Sequence, residues 1–275
     1  MRKRTLTALA LAVVGLPAVI FGGVFYFLLM GTFLVGGAWE YVRMYRAVQY
    51  EPNEIVTVGG VLVVATARFF FAEYATPLFV LLILLAMAVH LFAFERGRNQ
   101  AALDFGITVT GIVYLGWIGS YLLDLRSLAG KELGLWWFLM ALPLVWAADT
   151  GAYSIGAVYG KHKMAPRLSP KKSWEGYAAG IFTSVMVGAF FAYAFSSIGV
   201  QPLHGRISPL QGAGLGFIIA ALTPLGDLGE SMLKRQSGLK NSSNVFPGHG
   251  GFLDRINSWI WGAALGYFII QYFIL

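Results

Sequence analysis

"TPLFVLLILLAMAVHLFAF", residues 76–94, runs nineteen positions without an acid, a lysine or an arginine. A helix needs about 20 apolar residues to cross roughly 30 Å of hydrocarbon, so this stretch reads as a membrane span. Working outward from it, eight more apolar runs separated by short polar segments bring the set to nine, near 5–22, 24–40, 54–72, 76–94, 105–124, 135–159, 177–196, 212–229 and 258–275. The third is the weakest of them, because Arg68 falls near its end and Gly59-Gly60 interrupts it. Of 275 residues, 57% are hydrophobic and only 12% charged, with a mean hydropathy of +0.68. Those values lie outside the range of soluble globular chains. The expected fold class is therefore all-α: a polytopic helical membrane protein with about nine transmembrane helices.

The opening "MRKRTLTALALAVVGLPAVIF", residues 1–21, has the basic head and apolar body of a secretory signal. Its apolar run continues to about Phe21 without a convincing small-residue cleavage site, so retention as a first helix is expected. The chain has no cysteine, which excludes disulfides, thiolate ligands and cysteine nucleophiles. Any metal must be held by oxygen or imidazole. No internal repeat or soluble domain is visible, and the chain reads as one integral membrane domain over 1–275, with 1–134 mainly scaffold and 135–275 carrying the chemistry. Spacings such as Gly176 to Gly180 suit close helix contacts.

If nine spans alternate, the N-terminus and the loops after the second, fourth, sixth and eighth spans share one side. Sixteen of the twenty basic residues fall there, leaving only Arg68, Arg126, Lys131 and Arg206 opposite. By the positive-inside rule that face is cytoplasmic. The net charge of +7 becomes a localised field that attracts anionic headgroups and polyphosphates. For Arg43, Arg46, Arg96 and Arg98, topology alone is a sufficient explanation. Two other loops ask for more.

The first is "WAADTGAYSIGAVYGKHKMAPRLSPKKSWEG", Trp146 to Gly176. Asp149 falls in or near the end of an apolar helix, where an ionised carboxylate is expensive unless it is paired, metal-bound or facing water. Tyr153 lies one turn later on the same face. Lys161, Lys163, Arg167, Lys171 and Lys172 then follow within twelve residues, and Ser169-Pro170 imposes an extended or turned backbone ahead of the lysine pair. Such a cluster beside an intramembrane acid suits a phosphate clamp.

The second is "TPLGDLGESMLKRQSGLKNSSNVFPGHGGFLDRINS", Thr223 to Ser258. Asp227, Glu230, Ser231 and Lys234 are spaced i, i+3, i+4, i+7, so on a helix two acids, a hydroxyl and an amine form one stripe. Oxygen-rich sites of this kind suit magnesium, which takes one or two carboxylates and fills its shell with water and phosphate oxygens. Pro247-Gly248-His249-Gly250-Gly251 reads as a rigid turn opening into backbone without side chains, which lets amides approach a phosphate. Asp254 offers a second metal carboxylate and Arg255 a bidentate phosphate donor.

Taken in order, Ser231, Lys234-Arg235, Lys240, Pro247, His249-Gly250-Gly251 and Asp254-Arg255 resemble the signature of the phosphatidate cytidylyltransferase family, the CDP-diacylglycerol synthases. The upstream segment, with Asp149, Ala152-Tyr153, Gly156, Gly160-Lys161, Ser169-Pro170-Lys171-Lys172 and Trp174-Glu175-Gly176, is similar to that family's second conserved block. The resemblance covers most of the C-terminal half by motif and the N-terminal half by architecture only. There are two departures: Asn241 and Asn257 stand where the family pattern has aspartates.

What the resemblance implies is the reaction of CTP with phosphatidate to give CDP-diacylglycerol and pyrophosphate. Asp227 and Asp254 are then expected to hold Mg2+, with Asp149 and Glu230 as further candidate ligands and a second, monovalent or divalent, cation left open. Lys171, Lys172, Lys234, Arg235 and Arg255 would divide between the triphosphate and the lipid phosphate. Tyr153, Ser169, Ser231, Lys240, His249, Gly250 and Gly251 complete the substrate-binding set. The implied partners are CTP, phosphatidate in the bilayer and the membrane itself, with a homodimer left open and no nucleic acid expected. The expected location is a bacterial inner membrane, with the N-terminus and motif loops cytoplasmic.

Three other readings compete. A catalytically weakened relative would follow if Asn241 or Asn257 replaces an obligatory ligand, and a CTP-dependent lipid-alcohol kinase would release CDP instead of pyrophosphate. A transporter should show paired broken spans or internal repeats, and neither is visible.

Overall fold

The computed structural model of the chain describes residues 2–197, 206–248 and 250–275, with side chains from Leu9 onward. Each of the nine apolar runs is helical. They correspond to α1 (Arg2–Phe21), α2 (Gly23–Arg46), α3 (Glu54–Phe70), α4 (Ala72–Glu95), α5 (Ala101–Gly111) continued by a π-helical segment (Ile112–Ile118) and α6 (Tyr121–Ser127), α7 (Lys131–Tyr159), α8 (Trp174–Ser197), α9 (Pro209–Gln236) and α10 (Leu253–Ile269). Among the described residues, six of these stretches are long and apolar enough to cross a membrane: α2, α4, the Ala101–Ser127 run, α7, α8 and α9. The chain is an integral membrane protein. The count of nine is thus approximate: α3 and α10 have 17 residues each, and the described side chains of α1 cover the shorter apolar stretch Leu9–Phe21.

A two-stranded antiparallel hairpin, which the apolar pattern could not announce, joins α7 to α8. It consists of β1 (Lys163–Ala165) and β2 (Ser169–Ser173), with Lys163 opposite Ser173 and Ala165 opposite Ser169. Ser169-Pro170 was expected to be extended or turned, and it opens a strand.

The contacts divide the chain into two compact units, 1–124 with 233–256, and 125–232 with 257–275. In the first unit, α2 buries one face: Tyr26, Met30, Leu34, Ala38 and Val42 recur every fourth residue and are buried. Two tyrosines at opposite ends of that helix donate to carbonyls beyond it, Tyr26 Oη to Leu122 O and Tyr41 Oη to Ile107 O, each at 3.0 Å.

Arg68, the residue that weakened the third run, is neutralised inside this unit. Its guanidinium pairs with Asp124, donates to Trp117 O at 2.8 Å in the π-helical segment, and lies 4.3 Å from the Tyr121 ring centroid. A charge on an apolar helix is tolerable when it is paired and its donors are used.

In the second unit, α7 and α8 approach through small residues. A side chain on Gly180 would meet Ala148 O at 2.7 Å, and one on Gly176 would meet Ala152 O at 2.7 Å, so the expected close contact is realised. Tyr177 Oη donates to Ala221 O (3.0 Å), tying α8 to α9, and Trp146 packs on Trp259 with ring centroids 5.5 Å apart.

Candidate active site

Four elements of the second unit bring its polar residues together. The α7 helix supplies Asp149 and Tyr153, the hairpin Ser169, Lys171 and Lys172, α9 Asp227, and α10 Ser258. Lys172 Nζ lies 2.9 Å from Asp227 Oδ2, and Ser258 Oγ donates to Asp227 Oδ1 at 2.7 Å. Both partners of the ion pair keep about a quarter to a third of their side-chain surface, at 30% for Lys172 and 25% for Asp227. That exposure leaves them open to an incoming ligand.

Beside them is a cavity of about 290 Å³ whose polar lining is Asp149, Tyr153, Ser169, Lys171, Lys172, Ser173 and Tyr177, and whose remaining walls are alanines and glycines with Met164 and Pro224. Asp149 is exposed on it and interacts electrostatically with both Asp227 and Lys172. Glu175, at the start of α8, holds the hairpin's entry. It accepts from the His162 backbone N–H at 3.1 Å and lies 2.5 Å from His162 Nδ1. Ser231 is half-buried on α9, while Glu230, expected on the same stripe as Asp227, is buried and outside the cavity lining.

The first unit holds a second cluster with the same composition. Lys234 Nζ lies 2.7 Å from Asp254 Oδ1, and Ser242 Oγ lies 2.8 Å from Asp254 Oδ2. Asp254 Oδ2 also accepts from the backbone N–H groups of Ser242 and Gly251, each at 2.9 Å. This pair is deeper than the other, with 13% of the Lys234 side chain and 7% of Asp254 exposed. Arg235, Lys240 and Arg255 are exposed.

The expected glycine turn closes through Phe246 N–H donating to Gly250 O at 2.8 Å, with Gly248 at φ 77° and Gly250 at φ 82°. A non-glycine residue rarely adopts that backbone. His249 lies outside the described residues. The Gly251 N–H, expected to face a phosphate, is turned inward to Asp254.

Glu40, Ser242 and Ser258 escaped the reading of the sequence. Glu40 carried a signal, being a lone acid at the end of the 24–40 apolar run. Its partners lie more than 200 positions away in the chain, and no local pattern names them.

Comparison with known proteins decides the family. Residues 2–273 match the family model described as the Cytidylyltransferase family. The chain belongs to that cytidylyltransferase family. Proteins named phosphatidate cytidylyltransferase resemble it closely. The one from Pseudomonas aeruginosa is 35% identical over 94% of this chain and 92% of its own length, and the one from Bacillus subtilis is 28% identical over 99% and 98%. The Haemophilus influenzae protein is 43% identical over a segment that covers 52% of this cytidylyltransferase-family chain and 47% of that protein.

Among the described residues, no three acids or histidines of this family member converge as a ready metal cage. The donor set nonetheless fits magnesium. That ion is satisfied by one or two carboxylates with water and phosphate oxygens, and Asp149 lies within electrostatic reach of Asp227.

The two departures from the family pattern occupy different surroundings. Asn241 is exposed, and Asn257 is 1% exposed. At a buried position an amide is cheaper to desolvate than a carboxylate.

Proposed function

We propose that this chain is a phosphatidate cytidylyltransferase acting on CTP and phosphatidate with Mg2+. The observation that carries the reading is the Lys172–Asp227–Ser258 cluster, built by the motif segments of a chain whose full-length relatives bear that name.

In the reaction, a phosphate oxygen of phosphatidate forms a bond to the α-phosphorus of CTP. The bond from that phosphorus to the α–β bridging oxygen breaks, and pyrophosphate leaves with the electron pair. The lipid phosphate is already an adequate nucleophile, so the protein's task is positioning and charge neutralisation. Asp227, with Asp149 near it, would hold the metal in the second unit, and Asp254 is the candidate carboxylate of the first. When bound, magnesium neutralises triphosphate charge and stabilises the departing pyrophosphate.

Lys171 and Lys172 bind phosphate oxygens from the hairpin, and Lys234, Arg235 and Arg255 do so from the signature segment. Ser169 and Ser231 donate hydrogen bonds to phosphate oxygens from the second unit. The ammonium of Lys172, which lies on Asp227, would be free to serve a phosphate oxygen if Asp227 held the metal. The largely small-residue walls of the cavity leave room for a headgroup beside Lys171 and Lys172.

The motif loops face the cytoplasm of a bacterial inner membrane in this reading. It is supported by the sixteen of twenty basic residues that alternation places on one side. CTP then arrives from water while the acyl chains of phosphatidate stay in the bilayer.

The test is pyrophosphate release by the purified chain in detergent. Release should require CTP, phosphatidate and Mg2+ together, and EDTA should abolish it until excess Mg2+ is restored. Release of CDP from a lipid alcohol, or no release with both substrates and metal present, overturns the reading.

A further inference from the structure

We infer that Glu40, on α2 and far from the motifs in sequence, is a positioning residue of the proposed reaction, acting through the loop that presents Asp254. The inference rests on the cytidylyltransferase reading above.

Glu40 is 1% exposed, a burial that a carboxylate tolerates only with a full set of donors. It has that set, and every donor comes from the signature loop. Oε1 accepts from the Phe252 N–H at 2.9 Å and from Ser243 Oγ at 2.5 Å. Oε2 accepts from the Leu253 N–H at 2.9 Å and lies 2.8 Å from Ser242 Oγ. The first two N–H groups entering α10 are therefore held by one side chain, and those groups have no partner within their own helix.

The loop is gripped at both ends. Ser242 Oγ lies 2.8 Å from both Glu40 Oε2 and Asp254 Oδ2, and its one hydroxyl hydrogen serves one of them at a time. Gly251 is packed so closely on the Glu40 carboxylate that a side chain there would overlap it, and a side chain on Gly250 would overlap the Asp254 carboxylate. The two adjacent glycines thus answer to two different acids. Beside them Phe33 of α2 stacks on Phe246 with centroids 5.7 Å apart and meets Phe252 edge-on at 5.3 Å. Each contact bears on where the backbone before Asp254 runs, and so on where its carboxylate stands.

A residue that orients a metal-binding carboxylate is expected to change the metal requirement, which a purely structural residue would not do. The experiment compares wild type, Glu40→Gln and Ser243→Ala as full-length protein in detergent. It measures pyrophosphate release against Mg2+ concentration and thermal unfolding.

For Glu40→Gln we expect kcat to fall about tenfold or more and the half-saturating Mg2+ concentration to rise at least about threefold. Its unfolding midpoint should stay within about 4 °C of wild type. Ser243→Ala removes one donor and is expected to raise the Mg2+ requirement about twofold. It also serves as the reading if Glu40→Gln does not fold.

Activity that falls only with the folded fraction, at an unmoved Mg2+ requirement in both variants, overturns this proposal alone. A wild-type chain that releases no pyrophosphate overturns the functional reading, and the proposal with it.

Discussion

Lys172, at the fourth position of a five-residue strand, reaches 2.9 Å from Asp227 on α9, fifty-five positions later in the chain. The pair is partly open to solvent, and each member has a second use. Lys172 lines the cavity, and Asp227 also accepts from Ser258. An ion pair at this depth contributes little net stability, because desolvation offsets much of the attraction. In the proposed reaction its value lies in holding a cation and a carboxylate ready for a phosphate and a metal.

Lys172→Ala and Asp227→Asn are therefore expected to separate activity from stability. Each should lower kcat/KM for CTP about 100-fold, equivalent to about 2.7 kcal/mol of transition-state stabilisation. The loss in folding stability should stay near 1 kcal/mol or less. Pyrophosphate kinetics and thermal unfolding measured on the same preparations check this. Equal losses in both would show that the pair is structural.

The Arg68–Asp124 pair should behave in the opposite way, since both partners sit in a helical core and use their groups inward. Arg68→Met leaves Asp124 without its cation and is expected to destabilise the first unit by about 3 kcal/mol. Arg68→Met with Asp124→Leu should recover most of that loss, because two well-packed apolar residues leave no buried charge behind. Unfolding midpoints of the two variants decide it, and a double variant no better than the single would refute the account.

The two asparagines that depart from the family pattern give a third prediction. Asn241→Asp lies on an exposed loop and should change stability by no more than about 0.5 kcal/mol. Asn257→Asp introduces a carboxylate at a 1% exposed position and should cost about 1–3 kcal/mol. Neither should raise the rate of pyrophosphate release more than about threefold, a change under 1 kcal/mol. A tenfold gain in either would identify the chain as a weakened member of its family.

Much was legible in the residues alone because hydrophobic length is a local property. A nineteen-residue run such as 76–94, without an acid, a lysine or an arginine, forms a helix in lipid whatever surrounds it, since every backbone polar group must be satisfied within the segment. The charged motifs were legible for the same reason: Lys171-Lys172 and Asp254-Arg255 stand out because ionised side chains are rare in so apolar a chain. The β-hairpin was harder to see. Its strands are 3 and 5 residues long, too short for an alternating pattern to declare itself.

What the amino-acid sequence determined was the solvent of this protein, the approximate number of its helices and the residue types available for phosphate and metal chemistry. Only the tertiary structure decided which charge meets which: that Lys172 serves Asp227 and Lys234 serves Asp254, that Glu230 is buried, and that Glu40 holds the signature loop. The physical reason is range. Helix formation is settled among neighbours in the chain, whereas an ion pair or a hydrogen bond to a buried carboxylate is settled by distance in space.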